Sequence, residues 1–192
     1  MNQGKMVFGQ LMDFAPWDKF KYCVKRYDGD YRNHGLTCWK QFLCMAFGQL
    51  THRESLSDTV LCLQIHKDKL YHLGVGKPFS KSALSRANES RDWRIFRDFA
   101  LKLIEQARIL CAEDNLIDLK LKGKIYALDA TVIDLCLDIF WWAEFRVTKA
   151  AIKLHTLLDL KTAIPEYIVI TEGSVHEVRL LDAFVIPGGS YL

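Results

Sequence analysis

The sequence predicts two parts: an α-helical domain over residues 1–118, then an α/β domain over residues 119–192. Three observations carry that expectation. Up to about residue 112, apolar residues recur at three and four, the spacing of one helical face. After Gly123 the pattern changes to short apolar runs rich in β-formers. Between the two lies Glu113-Asp-Asn-Leu-Ile-Asp-Leu-Lys-Leu-Lys-Gly123, a polar connection that takes the boundary.

Lys5 to Ala15 reads as a short helix, and Pro16 suits the first turn of a second one running to Tyr27. Asp28 to Gly35 is turn-rich. Thr37 caps a third helix whose core stripe is Trp39, Phe42, Leu43, Ala46 and Leu50. Thr51-His-Arg-Glu54 is a capping box that opens a fourth helix, to about Ile65. Gly74 and Gly76 break the chain before Pro78. Ser80 caps a short helix through Glu89, and Ser90 starts a long one ending near Ala112. The stripe expected in that long helix is Trp93, Phe96, Ala100, Leu103, Ile104, Ala107 and Leu110. Beyond the boundary, strands are expected at Lys124–Ile133, Ile152–Leu160 and Glu166–Thr171, with a turn at Lys161-Thr-Ala163. Ser174-Val-His-Glu177 is a second capping box, opening a helix through Phe184. Pro187 to Ser190 is a turn, and Tyr191-Leu192 opens a fourth strand.

Composition narrows the function classes. Half of the 192 residues are hydrophobic, which allows a sizeable core and argues against disorder. The net charge of +3 does not argue for nucleic acid by itself, so local clustering must carry any such case. None of the six cysteines forms a CxxC pair, and most lie in apolar helical patterns. Buried, reduced thiols and a reducing compartment are the expectation. With neither a signal peptide nor a membrane span expected, the sequence reads as cytoplasmic.

Lys124-Ile-Tyr-Ala-Leu-Asp129-Ala-Thr131-Val-Ile133 is the stretch with chemistry in it. It reads as a buried strand holding one carboxylate, and a buried ionised Asp costs several kcal/mol unless paired or coordinated. A hard divalent cation on carboxylate oxygen would offset that cost. The alternative is that Asp129 ends the strand and caps a turn through Thr131.

From Asp129 onward the chain resembles the DDE transposases of bacterial insertion sequences, in the cut-and-paste group with a ribonuclease-H-like catalytic domain. The resemblance runs through Phe140-Trp-Trp-Ala-Glu-Phe-Arg146-Val-Thr-Lys149, Ile152-Lys-Leu-His155-Thr-Leu-Leu-Asp159, and Ile164 to Glu177. The first half, from Gly4 to Ile95, looks like the helical domain preceding that core. The resemblance implies a mixed sheet, here its first three strands and a helix. It implies Asp129 as the first of three acids holding two Mg²⁺, which place attacking and leaving oxygens in line. The implied partners are double-stranded DNA, as transposon ends and target, and a second copy in a synaptic dimer. The family's second acid lies beyond the fourth strand and its third on a later helix, so a truncated catalytic domain, inactive alone, is expected. The competing class is a non-catalytic DNA-binding or interaction module acting on transposon ends. A third reading is an inert product that aggregates through unpaired sheet edges.

The other polar residues read as structural. Asp134 lies five residues past Asp129, on the opposite strand face, and is expected with Asp138 in a solvated loop. Asp159 ends the second strand, from where it could approach the site, and reads as structural. His155 and His176 read as core or turn histidines, with no Cys or second His at ligand spacing near either. DNA contacts are expected in two places. One is Lys81, Ser82, Ser85, Arg86, Asn88, Arg91 and Arg94, on and just after the Ser80-capped helix, where a solvated face diluted by Glu89, Asp92 and Asp98 is an equal alternative. The other is Arg146, Lys149 and Lys153, which in the family adjoin the active site. For the tryptophans beside Arg146, covering a sheet edge is an equal alternative.

Overall fold

The computed structural model describes residues 6–33, 35–111, 123–135, 144–146 and 149–176. The chain divides into two units, Met1–Leu103 and Ile104–Leu192. Residues 112–122, which span the expected boundary at 118/119, lie outside the described residues.

The first unit is helical: α1 (Val7–Met12), α2 (Trp17–Arg26), α3 (Cys38–Leu50), α4 (Leu56–Ile65), a single 3-10 turn (Lys67–Lys69), α5 (Lys81–Ser90) and the start of α6 (Arg94–Leu110). Phe20 of α2 is fully buried. Its ring meets Phe99 at 4.9 Å, Trp39 at 5.0 Å, Phe42 at 5.7 Å and Phe96 at 6.2 Å between centroids. Edge-on and tilted pairs of this kind add to the apolar burial itself. Cys23, Cys38 and Ile95 complete that cluster. A second cluster joins α3, α4 and α5 through Leu43, Cys44, Phe47, Val60, Leu63 and Leu84. The chain turns close to the first cluster at Gly29, where a Cβ would stand 2.4 Å from Ile95 Cδ1 and 2.8 Å from Cys38 Sγ. A side chain there would force Ile95 and Cys38 to shift.

The capping residues explain most of the helix starts. Thr37 Oγ1 accepts from Lys40 N at 3.3 Å, and Ser80 Oγ accepts from Ala83 N at 3.2 Å, both as expected. The capping box at Thr51–Glu54 is corrected. Thr51 instead closes α3, its hydroxyl donating to Phe47 O at 2.6 Å, and Ser55 caps α4 by accepting from Asp58 N at 3.1 Å. Ser90 likewise ends α5 rather than starting α6, donating to Arg86 O at 2.7 Å. Asp92 serves the start of α6, accepting from Arg94 N at 2.9 Å. The expected core stripe of α6 holds in part: Phe96 and Leu103 pack, partly buried, against the Phe20 cluster. Ile95 and Phe99 are buried, whereas Trp93 is 50% and Leu110 75% exposed. Leu50, expected in the core, is exposed at the end of α3.

A charged cluster joins α2 to α6. Asp98 accepts from Tyr27 Oη at 2.7 Å and pairs with Arg97 at 2.7 Å and Arg26 at 3.3 Å. Burial alone would raise the Asp98 pKa. Hydrogen bonds from Tyr27 and Arg97, with the charges of Arg97 and Arg26, outweigh it and hold the carboxyl below its ordinary value. The thiols of Cys38 and Cys44 are pushed up to about 12 by burial.

The second unit carries an antiparallel sheet. Its long strands are β1 (Tyr126–Leu135), β3 (Lys149–Asp159) and β4 (Ile164–Glu172), with a short β2 (Glu144–Arg146). β3 is central, pairing with β1, β2 and β4. Every pairing among the described strands is antiparallel, so the parallel strand that a mixed sheet requires is not among them. The turn between β3 and β4 falls where the sequence put it, with Asp159 Oδ1 accepting from Lys161 N at 2.9 Å. The register shifts between Leu157 and Leu158 opposite Pro165–Tyr167. Within that irregularity Glu166 pairs with Arg108 at 2.6 Å and Lys124 at 3.8 Å. The helix expected from Ser174 to Phe184 and the strand expected at Tyr191 extend into residues 177–192, outside the described residues.

Among the described residues no helix is long and apolar enough to cross a membrane. The packing of the first unit gives two expected outcomes. Phe20→Ala is expected to cost about 4 kcal/mol, read from urea denaturation of the helical circular-dichroism signal. A depressed folded-state pKa at Asp98 gives stability that is present above the ordinary carboxyl range and is lost as pH falls through the lower, folded value. Asp98→Asn should therefore cost about 1–2 kcal/mol at neutral pH, and progressively less as pH is lowered below about 4.

Candidate nucleic-acid interface

Charge in this chain is segregated. Residues 1–103 carry 17 Lys and Arg against 10 Asp and Glu, a net of +7, whereas residues 104–192 carry 9 against 13. The modest total conceals a basic helical unit.

Within that unit α5 is built to present one face. Leu84 and Ala87 point into the core, and Ser80 fixes the first turn. Lys81, Ser82, Ser85 and Arg86 lie on the exposed side, one or two helical turns apart, as do Asn88 and Glu89. Arg86 is exposed, and its Nε donates to Ser82 O at 3.3 Å. At the N-terminal end of α5, Lys40 and Lys77 line a pocket with Gly35, Gly76, Phe79 and Ser80. Lys40 comes from α3, and its Nζ donates to Gly35 O at 3.2 Å. Sequence reasoning missed it, because nothing in the local pattern links position 40 to position 80.

The remaining residues expected at this surface have other engagements. Asn88 Oδ1 accepts from Gln41 Nε2 at 2.6 Å. Arg91 is half-buried, with Nη1 donating to Gln41 Oε1 at 2.7 Å and Nη2 donating to Leu36 O. Arg94 forms a bidentate pair with Asp92, at 2.6 and 3.0 Å, and lies 4.7 Å over the Tyr27 ring. The exposed basic face is therefore carried by Lys81 and Arg86, not by the whole run of cations in the sequence.

In the second unit, Asp129 lies mid-strand in β1, opposite Thr156 of β3, which in turn lies opposite Ile168 of β4. Directly opposed residues share a face. The face with Asp129 is the more open one: Asp129, Thr131, Ile133 and Ile170 are exposed. The expectation that Asp129 sits buried in its strand is thus corrected. The buried face is the other one, with Tyr126, His155, Leu157 and Asp159. Asp129 also does not end the strand, since β1 continues to Leu135. Asp134, expected in a loop, has its backbone in β1 opposite Ala151. Asp138 lies outside the described residues.

Lys153 stands opposite Val132, on the face away from Asp129, and donates to Val175 O at 3.0 Å. The backbone of Arg146 lies in β2 opposite Lys149 of β3. His155 is buried, its Nε2 2.8 Å from Thr171 Oγ1, and His176 is exposed. Among the described residues no three His, Cys, Asp or Glu side chains come together as a metal site. The described residues therefore do not build a two-magnesium cage around Asp129.

Residues 3–76 match a family described as a domain of unknown function, DUF4372. No curated protein and no solved structure matches the chain. The matched span contains α1 to α4 and ends before α5. The open placement of Asp129 has a direct consequence: Asp129→Asn should change stability by no more than about 0.5 kcal/mol, measured by thermal melting at neutral pH. A loss of several kcal/mol would mean that the carboxylate is buried and paired.

Proposed function

We propose that this chain works on double-stranded DNA, as a protein of the DDE-transposase type. The observation that carries the DNA half of this reading is the exposed face of α5 on a unit of net charge +7. Lys81 and Arg86 meet phosphates, while Ser82 and Ser85 supply short donors between them. The transposase half rests on the sequence resemblance, together with a carboxylate on the open face of the first long strand of an antiparallel sheet. There Asp129 is reachable by DNA and by a divalent cation. Magnesium would supply activation of water and charge neutralisation at phosphate. Asp129 would be one of its ligands, and further carboxylates would have to join it.

The second reading keeps DNA binding and omits cleavage. It is favoured by the absence, among the described residues, of any group of three His, Cys, Asp or Glu side chains that could hold a metal ion.

Both readings are tested with the 192-residue chain. Fluorescence anisotropy on a short labelled duplex should give a logarithmic affinity that falls linearly with the logarithm of salt between about 50 and 200 mM. Lys81→Ala and Arg86→Ala should each reduce that slope by about 1. Binding whose slope ignores both substitutions would overturn the assignment of the α5 face. A magnesium-dependent nicking assay should show no cleavage by this chain. Cleavage that Asp129→Ala abolishes would overturn the non-catalytic reading.

A further inference from the structure

One cation beside the α5 face does not meet solvent as its neighbours do. Arg91 is the C-cap residue of α5, immediately after the helix that carries Lys81 and Arg86. Its guanidinium turns inward. Nη1 donates to the Oε1 of Gln41, an α3 side chain only 3% exposed, at 2.7 Å. Nη2 donates to Leu36 O, a carbonyl that also accepts from Asn33 Nδ2 at 2.9 Å. The other end of the Gln41 amide donates to Asn88 Oδ1 at 2.6 Å, and Asn88 Nδ2 reaches Met45 Sδ at 3.4 Å. Both polar ends of a buried side chain are thus taken up by the last turn and the C-cap of one helix.

We infer that Arg91 is a positioning residue for nucleic-acid binding: by clamping the end of α5 to Gln41 and Leu36 it sets the direction of the Lys81–Arg86 face, without itself touching phosphate. The inference rests on the reading that this face meets DNA. Three features of the clamp fit that role. The planar fork of arginine reaches two acceptors at once, which a lysine ammonium on a flexible stem does not reproduce. Gln41 is buried, so releasing Arg91 leaves an amide oxygen without its donor and favours a rearranged helix end. The first turn of α5 is held separately, by the Ser80 cap and by Gln64 Nε2 donating to Phe79 O at 3.4 Å. Loss of the clamp therefore loosens one end of the helix and leaves the other in place.

The test compares wild type, Arg91→Ala, Arg91→Lys and Lys81→Ala in the full 192-residue chain. Each binds the same labelled mixed-sequence duplex across the salt series, with folding checked by circular dichroism. A positioning role predicts that Arg91→Ala weakens binding about ten-fold with the salt slope unchanged. Arg91→Lys, which keeps the charge, should lose nearly as much. Lys81→Ala, a phosphate contact, should lower the slope by about 1. If Arg91→Ala fails to fold, Arg91→Lys carries the comparison. The inference is overturned if Arg91→Lys binds like wild type, if the slope falls by about 1 in Arg91→Ala, or if neither Arg91 variant weakens binding. Lack of duplex binding by wild type overturns the DNA reading itself, and this inference with it.

Discussion

The constraint on which the helical unit depends is the closure of aromatic rings around Phe20. That side chain has no exposure, and rings from α3 and α6 stand within about 6 Å of it. α2, α3 and α6 are distant in sequence, and this cluster holds them in one arrangement. It also bears on the tight passage at Gly29, where an added side chain would displace Ile95 and Cys38. The segment after Gly29 reaches Leu36, whose carbonyl receives Arg91.

The second cluster converts that frame into a surface. Leu84 and Ala87 are the apolar side of α5, and their burial against α3 and α4 decides which side of the helix faces out. The side left outward is basic and hydroxylic. Two polar attachments, Ser80 at the start and Gln41 with Arg91 at the end, hold the helix at both termini. A surface meant to track phosphates gains from such stiffness, because ordering it in the complex then costs little.

Much of this was legible in the sequence, and the gaps have physical causes. The caps at Thr37 and Ser80, the two glycine breaks and the three long strands come from local chemistry that neighbours do not override. The box at Thr51 failed because Thr51 and Ser55, four residues apart, each offer a cap, and the ladder of α3 claimed the first. The stripe of α6 included Phe96 and Leu103 but missed the buried Ile95 and Phe99, because apolar residues lie on more than one side of that helix and only the rings around Phe20 choose between the sides. Arg91 looked like its cationic neighbours since nothing local reveals Gln41, fifty positions away. Asp129 was placed correctly along its strand, but which face of a sheet is covered is a tertiary fact that an apolar run does not encode.

The sealed thiols of Cys38 and Cys44 have a consequence of their own. Burial keeps them protonated at any physiological pH, and protonated sulfur neither alkylates nor exchanges readily. They sit in the two separate clusters of the helical unit, one apiece. Each can react only when its own cluster opens, so the helical unit carries a chemical timer in each of its two clusters.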